Sequence, residues 1–236
     1  LEFRRVLFRS ASGKGGVGKS TVSANLAVAL AKEGATVGLL DADIYGPSIP
    51  MMMGIRREPE VVKTESGAKM LPILAHGVSV MSLGFILKSD QAVVWRGPML
   101  GKAVNDMLTG CVWGELDYLV VDLPPGTGDV PMSLAQLVPI SGVVVVTTPQ
   151  QVAQDIARKS IAMFRMLSQG TNKAIPILGM IENMSGGIFG TGGGEQAAQR
   201  FEVPYLGSVP LTETVMLGGD TGYPAVLGGD SKIGRA

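Results

Sequence analysis

The sequence predicts an α/β protein built on a doubly wound, mostly parallel sheet flanked by helices. Short apolar runs at 36–40, 118–121, 142–147 and 177–181 alternate with segments of helical period, as crossover helices between parallel strands require. Two of these runs end in an aspartate, Asp41 and Asp122, which puts carboxylates at one edge of the sheet. Between the first strand and the first helix lies a glycine-rich turn, Gly13-Lys-Gly-Gly-Val-Gly-Lys-Ser-Thr21.

A first strand is expected at 6–10, with Arg9 an odd occupant of a buried strand. A helix over 19–33 follows, with Val22, Leu26 and Leu30 on its apolar side and Gly34 as its stop. Strand 36–40 delivers Asp41-Ala-Asp43. Gly46-Pro-Ser-Ile-Pro50 then breaks the chain, and a short helix is expected at 51–53. The charged stretch 56–69 reads as a surface excursion. A short strand at 78–83 and helices at 98–108, 151–168 and 193–201 complete the pattern. With no internal repeat and no long linker, residues 11–231 form one domain.

At 236 residues and 46% hydrophobic content the chain can bury a sizeable core. No apolar run is long enough to span a bilayer, and the N-terminus lacks a signal peptide's apolar segment. The single cysteine, Cys111, excludes an internal disulfide framework and fits a reducing, cytoplasmic setting. A net charge of zero implies neither nucleic acid nor membrane as a partner. Both ends look foreign. Leu7-Phe8-Arg9-Ser10 and Lys232-Ile-Gly-Arg235 can be encoded by reverse complements of one another, the pattern of a ligated sequencing adapter, so 1–10 and 232–236 are expected to be non-native. Without 1–10 (three Arg, one Glu) and 232–236 (one Lys, one Arg) the net charge falls from 0 to −4.

The glycine-rich turn fits G-x-x-x-x-G-K-[ST], in which backbone N–H groups converge on phosphate oxygens. The nucleotide-binding candidates are therefore Gly13, Lys14, Gly15, Gly16, Val17, Gly18, Lys19, Ser20 and Thr21. Lys19 would neutralise the β- and γ-phosphates and the Ser20 hydroxyl would ligate Mg²⁺. Asp122, after Tyr118-Leu-Val-Val121, is placed to hold the same Mg²⁺. The glycine-hinged segment 123–129 after it suits sensing of a γ-phosphate. Asp41 and Asp43 disfavour joint ionisation unless a cation lies near, and Mg²⁺ with Lys19 supplies that charge. Asn183, after strand 177–181, offers an amide donor and acceptor to a base edge. Trp113, Met99, Met107 and Leu108 read as core.

Lys14, a second lysine inside the loop, has no packing role there. It makes the loop resemble the deviant Walker A group of P-loop NTPases, to which MinD, ParA and nitrogenase iron-protein relatives belong. Further phrases resemble the Mrp/ApbC family of iron–sulfur cluster carrier ATPases: Asp41-Ala-Asp-Ile-Tyr-Gly-Pro-Ser-Ile-Pro50, Trp95-Arg-Gly-Pro-Met99, Trp113-Gly-Glu-Leu-Asp-Tyr118, Asp122-Leu-Pro-Pro-Gly-Thr-Gly-Asp129, Thr147-Thr-Pro-Gln150 and Ile181-Glu-Asn-Met-Ser185. The resemblance implies a homodimer that hydrolyses ATP and passes a labile [4Fe–4S] cluster to apo iron–sulfur proteins. It implies that Asp41 organises the Mg²⁺ shell, Asp43 orients or polarises the attacking water, and Lys14 acts in trans on the partner's nucleotide. It also implies that Asn183 selects adenine, hence ATP over GTP.

The family pattern carries Cys-x-x-Cys shortly after Asn-Met-Ser. Here Ser185 runs through Gly-Gly-Ile-Phe into Gly190-Thr-Gly-Gly-Gly194, without cysteine. Four thiolates normally hold such a cluster. Cys111 supplies at most two per dimer and reads as a small apolar loop residue, while His76 reads as solvated. No Fe–S ligand is identified. The alternative is a MinD/ParA-like ATP-dependent dimerisation switch without a cluster. MinD-type proteins need a C-terminal amphipathic helix, which 218–224 does not show, and ParA-type proteins need basic surface. A nitrogenase-iron-protein-like reductase would need cysteines near its switch loops.

Overall fold

The computed structural model describes residues 3–9, 15–65, 67–86, 97–126, 129–170 and 174–228, with only the backbone of 3–9. Gly13, Lys14 and the Trp95-Arg96 pair lie outside these, as do part of the segment 123–129 and the C-terminal stretch 232–236.

The phosphate-loop strand β1 (Phe3–Arg9) is followed by α1 (Lys19–Lys32), β2 (Val37–Asp41) and α2 (Ile49–Met52). Next come β3 (Val61–Thr64), β4 (Gly67–Met70), β5 (Ile73–Ala75), β6 (Val78–Ser82) and α3 (Gly97–Thr109). The second half holds β7 (Leu116–Asp122), α4 (Asp129–Leu137), β8 (Gly142–Thr147), α5 (Gln151–Gly170), β9 (Ile177–Ser185), α6 (Gly193–Arg200), β10 (Tyr205–Pro210) and α7 (Glu213–Thr221). The main sheet runs β10-β9-β8-β1-β7-β2-β6-β5; every neighbouring pair is parallel except the edge pair β5–β6. The chain winds from β1 toward β6 and then back through β8 to β10. The ends of β1, β2 and β7 therefore meet at the centre of one sheet edge, where such folds bind ligands.

Side chains alternate between two buried faces. On β2, Leu39 packs with Ala24, Ala27 and Val28 of α1, while Leu40 faces the layer of Met107, Leu134 and Phe164. On β8, Val143 and Val145 join that layer, and Val144 and Val146 pack with Val17 and Val22. This two-sided burial explains the unbroken apolar runs of the sequence. Each such side chain contributes roughly 1.5–3 kcal/mol by leaving water.

Several expectations change. Stretch 56–69 is on the surface but ordered in part, with β3 and β4 pairing antiparallel apart from the main sheet. The short helix begins at Ile49, because Pro50 in its first turn starts a helix as readily as it breaks one. Strand β9 continues to Ser185, because β10 pairs with it to that point, so Asn183 lies inside the strand. Met99 is 48% exposed rather than core, whereas Trp113, Met107 and Leu108 are buried. His76 is half-buried, its Nε2 3.0 Å from the Gly222 carbonyl and its ring edge-on to Tyr223. Strands β5 and β10 and helices α4 and α7 were not anticipated, being short or Gly- and Pro-interrupted. Among the described residues no helix is long and apolar enough to cross a membrane.

Candidate functional site

The phosphate loop passes into α1 through two left-handed glycines, Gly16 at φ 89° and Gly18 at φ 79°. Gly18 caps the helix without a side-chain hydrogen bond, and the first turn of α1 carries no acidic residue. The first turn of the helix thus supplies no anion of its own to its positive end. Among the described residues, a Cβ on Gly15 or Gly16 would meet nothing within 4 Å. Ser20 and Thr21, at the start of α1, are half-buried.

Lys19 is 6% exposed. Burial lowers its pKa, and the carboxylates of Asp122 and then Asp43 pull it back up. Asp41 and Asp122 lie directly opposite one another on β2 and β7. Both are fully buried. Burial pushes the Asp122 carboxyl up to about 6; the Ser20 and Ser23 hydroxyls and the Lys19 ammonium oppose the rise, and Asp43 adds to it. Asp41 is raised well above its ordinary range, first by burial and then by the charge of Asp122.

The two carboxylates differ in how they are held. Asp41 Oδ1 accepts the Asp43 N–H (3.1 Å), and its Oδ2 accepts the Ser82 hydroxyl (2.9 Å) and the Ile49 N–H (3.3 Å). Asp122 Oδ1 accepts the Ser23 hydroxyl at 2.9 Å, while its Oδ2 is buried with no hydrogen-bond partner among the described residues. A buried carboxylate oxygen left bare is costly unless a cation or water completes it. Of the three oxygen donors predicted for Mg²⁺, Asp122 with Ser20 nearby therefore fits best. Asp41 is committed on both oxygens, to the 41–49 turn and to Ser82 of β6. Asp43 is 8% exposed and its Oδ1 accepts the Tyr45 N–H at 3.1 Å. Burial raises its pKa, against the Tyr45 N–H, Lys19 and the Gly46 N–H.

Asn183 sits beneath the loop, 3% exposed, and donates from Nδ2 to the Val17 carbonyl at 2.8 Å. One of its donors is thus already used, and the residue braces the loop, a task the sequence did not suggest. A Cβ on Gly18 would collide with the same Nδ2, so the glycine is required by space as well as by φ. Two further residues went unnoticed in the sequence. Thr148, directly after β8, buries a hydroxyl with no partner. Glu182 is 1% exposed and accepts from three donors, the Ser185 hydroxyl at the end of β9 and the Gly192 and Gly194 N–H groups at the start of α6. Its only sequence signal was a charge inside an apolar strand.

No cluster site assembles among the described residues: no group of three His, Cys, Asp or Glu side chains is arranged to hold a metal ion. Cys111 is buried in the α3–β7 core at 4% exposure, and burial pushes its thiol up to about 12. It stays protonated at neutral pH and is a poor iron ligand.

The chain is 47% identical over 226 residues to an iron-sulfur cluster carrier protein of Escherichia coli (strain K12), covering 92% of this chain and 59% of that protein. It is 48% identical over 228 residues to one from Synechocystis sp. (strain PCC 6803), covering 92% and 63%. The chain thus spans about three fifths of the length of these relatives. A solved nucleotide-binding protein from Archaeoglobus fulgidus, in complex with ADP, superposes with a TM-score of 0.75 at 33% identity, over 93% of this chain and 88% of that one. The cell division ATPase MinD of Pyrococcus furiosus does so with 0.71 at 25% identity, over 99% and 95%. Residues 5–235 match the ParA family described as NUBPL iron-transfer P-loop NTPase, and the chain belongs to that family.

Proposed function

We propose that this chain is the Mg²⁺-dependent ATPase domain of an iron–sulfur cluster carrier that works as a homodimer in the cytoplasm. One observation carries the nucleotide chemistry: a buried Lys19 at an uncapped helix N-terminus, flanked by Asp43 and by Asp122 with its bare Oδ2. Lys19 and the loop N–H groups, from Gly13 through Thr21, take the phosphates. Ser20 and Asp122 would hold Mg²⁺, which would supply charge neutralisation to the phosphates, and Asp41 keeps the 41–49 turn in register behind them. Asp43, oriented by the Tyr45 N–H and with a raised pKa, orients the attacking water. The Lys14 of one protomer reaches the nucleotide of its partner, which would tie hydrolysis to dimer formation. Asn183 holds Val17 with one N–H and meets the adenine with the rest of its amide.

The cluster is cargo in this scheme, delivered to apo iron–sulfur proteins, as the carrier relatives support. The thiol present does not fit the role of ligand. That favours a second reading, an ATP-driven dimerisation switch of the MinD kind without a cluster, with neither nucleic acid nor membrane as its partner. Iron and acid-labile sulfide per chain after anaerobic reconstitution decide between them. About four of each per dimer keep the carrier reading and send the search for ligands to Cys111→Ser first. Iron at background with Mg²⁺-dependent ATP hydrolysis intact moves the protein to the second reading. Absence of ATP binding sinks both.

A further inference from the structure

Glu182 is a buried carboxylate that the nucleotide chemistry leaves unused. It lies near the end of β9, 1% exposed. Its Oε1 accepts the Ser185 hydroxyl at 2.6 Å and the Gly192 N–H at 3.1 Å, and its Oε2 accepts the Gly194 N–H at 2.6 Å. These N–H groups belong to the start of α6, so the carboxylate serves as that helix's internal anion. The fit is close. A Cβ on Gly194 would lie 2.7 Å from the Glu182 Cβ, and one on Gly193 would collide with the Pro149 carbonyl.

The next residue in the chain is Asn183, whose Nδ2 holds the Val17 carbonyl of the phosphate loop at 2.8 Å. Successive side chains of a strand point to opposite faces. One peptide unit therefore carries a tie to the phosphate loop on one face and a tie to segment 185–194 on the other. Immediately beyond, Met184 adopts φ 56°, a left-handed conformation uncommon for a residue with a side chain. The Ser185 carbonyl then accepts the Leu211 N–H at 3.0 Å. The hydrogen bonds inside the segment are local: Gly186 N–H to the Gly190 carbonyl (2.7 Å) and Phe189 N–H to the Gly186 carbonyl (3.2 Å). Ile188 at its apex is 92% exposed.

We propose that Glu182 is a positioning residue that reports occupancy of the phosphate loop to segment 185–194, through the backbone it shares with Asn183. A phosphate drawn onto the loop fixes Val17 and so fixes Asn183. The pairing of β9 with β8 ends at Glu182 and its register with β10 shifts between Glu182 and Ser185, so the ladder does not clamp Asn183 and a shift there reaches Glu182 through their shared peptide unit. Three charge-assisted hydrogen bonds then tighten or loosen the segment and the start of α6. The inference rests on the reading of Gly15–Ser20 as a nucleotide loop.

The test is amide hydrogen exchange of the whole chain with and without Mg²⁺ and a non-hydrolysable ATP analogue, with the analogue's Kd measured by calorimetry on the same samples. In the wild type, exchange of residues 185–194 is expected to change by about threefold or more on binding. Glu182→Gln keeps one acceptor but turns an N–H₂ toward a donor; its Kd should stay within about twofold while the response of 185–194 disappears. Ser185→Ala removes one of the three bonds and should roughly halve the response. If Glu182→Gln fails to fold, Ser185→Ala decides, and a wild-type response in it overturns the proposal. So does an unchanged segment in a wild type that binds the analogue, or a wild-type response in folded Glu182→Gln. Failure of the wild type to bind the analogue overturns the nucleotide reading itself, a result the calorimetry separates from the others.

Discussion

Two glycine-rich junctions in this protein lead from a parallel strand into a helix, and they are built alike. One joins β1 to α1 and the other joins β9 to α6. Both helices are capped by a left-handed glycine at φ 79°, Gly18 in the first and Gly192 in the second, and neither glycine is assisted by a side-chain cap. They differ in what meets the exposed N–H groups. At α6 the Glu182 carboxylate is already bound, and Glu195 adds a charge in the first turn. At α1 the first turn itself has no acid and carries the buried Lys19, while the Asp122 carboxylate of β7 accepts from the Ser23 hydroxyl. The first junction is thus prepared for an anion from outside, the second satisfied from within. Glycine content and backbone shape do not separate a ligand site from a structural turn; whether an acidic side chain already accepts the N–H groups of the helix start does.

The comparison breaks most completely at Lys19. Lys19→Ala should weaken Mg²⁺–ATP binding by about 10³-fold, the loss of two or more charge-assisted hydrogen bonds, as read by calorimetry. Binding within tenfold of wild type would remove the lysine from the phosphates. Asp43→Ala should bind ATP normally yet slow single-turnover hydrolysis by about 10²-fold; unchanged turnover takes Asp43 out of the mechanism.

A smaller effect separates the two junctions by pH. The Asp122 carboxyl has its pKa raised to about 6 in the folded chain, above its value when unfolded. Its contribution is therefore fully present below pH of about 4 and lost as pH rises through about 6, with Asp41 shifted in the same direction. In EDTA, Asp122 alone accounts for at most about 3 kcal/mol of lost stability between those limits. Asp122→Asn should flatten the slope, and saturating Mg²⁺–ATP should reverse the loss. A denaturation series that shows no such slope in EDTA would mean that the carboxylate is compensated already.

The finest comparison uses the paired caps. Gly192→Ala meets open space and should cost about 1 kcal/mol for its positive φ alone. Gly18→Ala has the same φ but collides with the Asn183 amide, so it should cost about 2 kcal/mol or more and lower nucleotide affinity as well. Equal denaturation midpoints for the two variants would show that Asn183 gives way freely.

Reading the sequence reached some of these features and missed others for definable reasons. Gly15–Ser20, Asp41 and Asp122 could be read because each is fixed by near neighbours: a glycine run before a helix, or a carboxylate ending an apolar run. Strand β8 was read at its true bounds because all six of its positions are buried, which leaves no ambiguity of face. Glu182 was passed over because its partners lie 3, 10 and 12 residues on, across a turn whose shape the glycines leave open. His76 was misread because the carbonyl it meets is 146 residues away. Met99 was misread because its apolar side chain sits on the outer side of α3, and apolarity alone does not say which side faces in.

The α/β class, the strand-to-helix phosphate loop and the acidic strand ends are legible in the order of residues, because they follow from local periodicity and from the few residues that tolerate a left-handed turn. Only the tertiary structure decided which carboxylate is left bare, Asp122 rather than Asp41, and which asparagine face supports the loop. It also decided that the second glycine run is closed by Glu182 and that Cys111 is sealed in the core. Those outcomes depend on which strands lie side by side, since burial and hydrogen-bond partners are set by neighbours in space that the order of residues does not name.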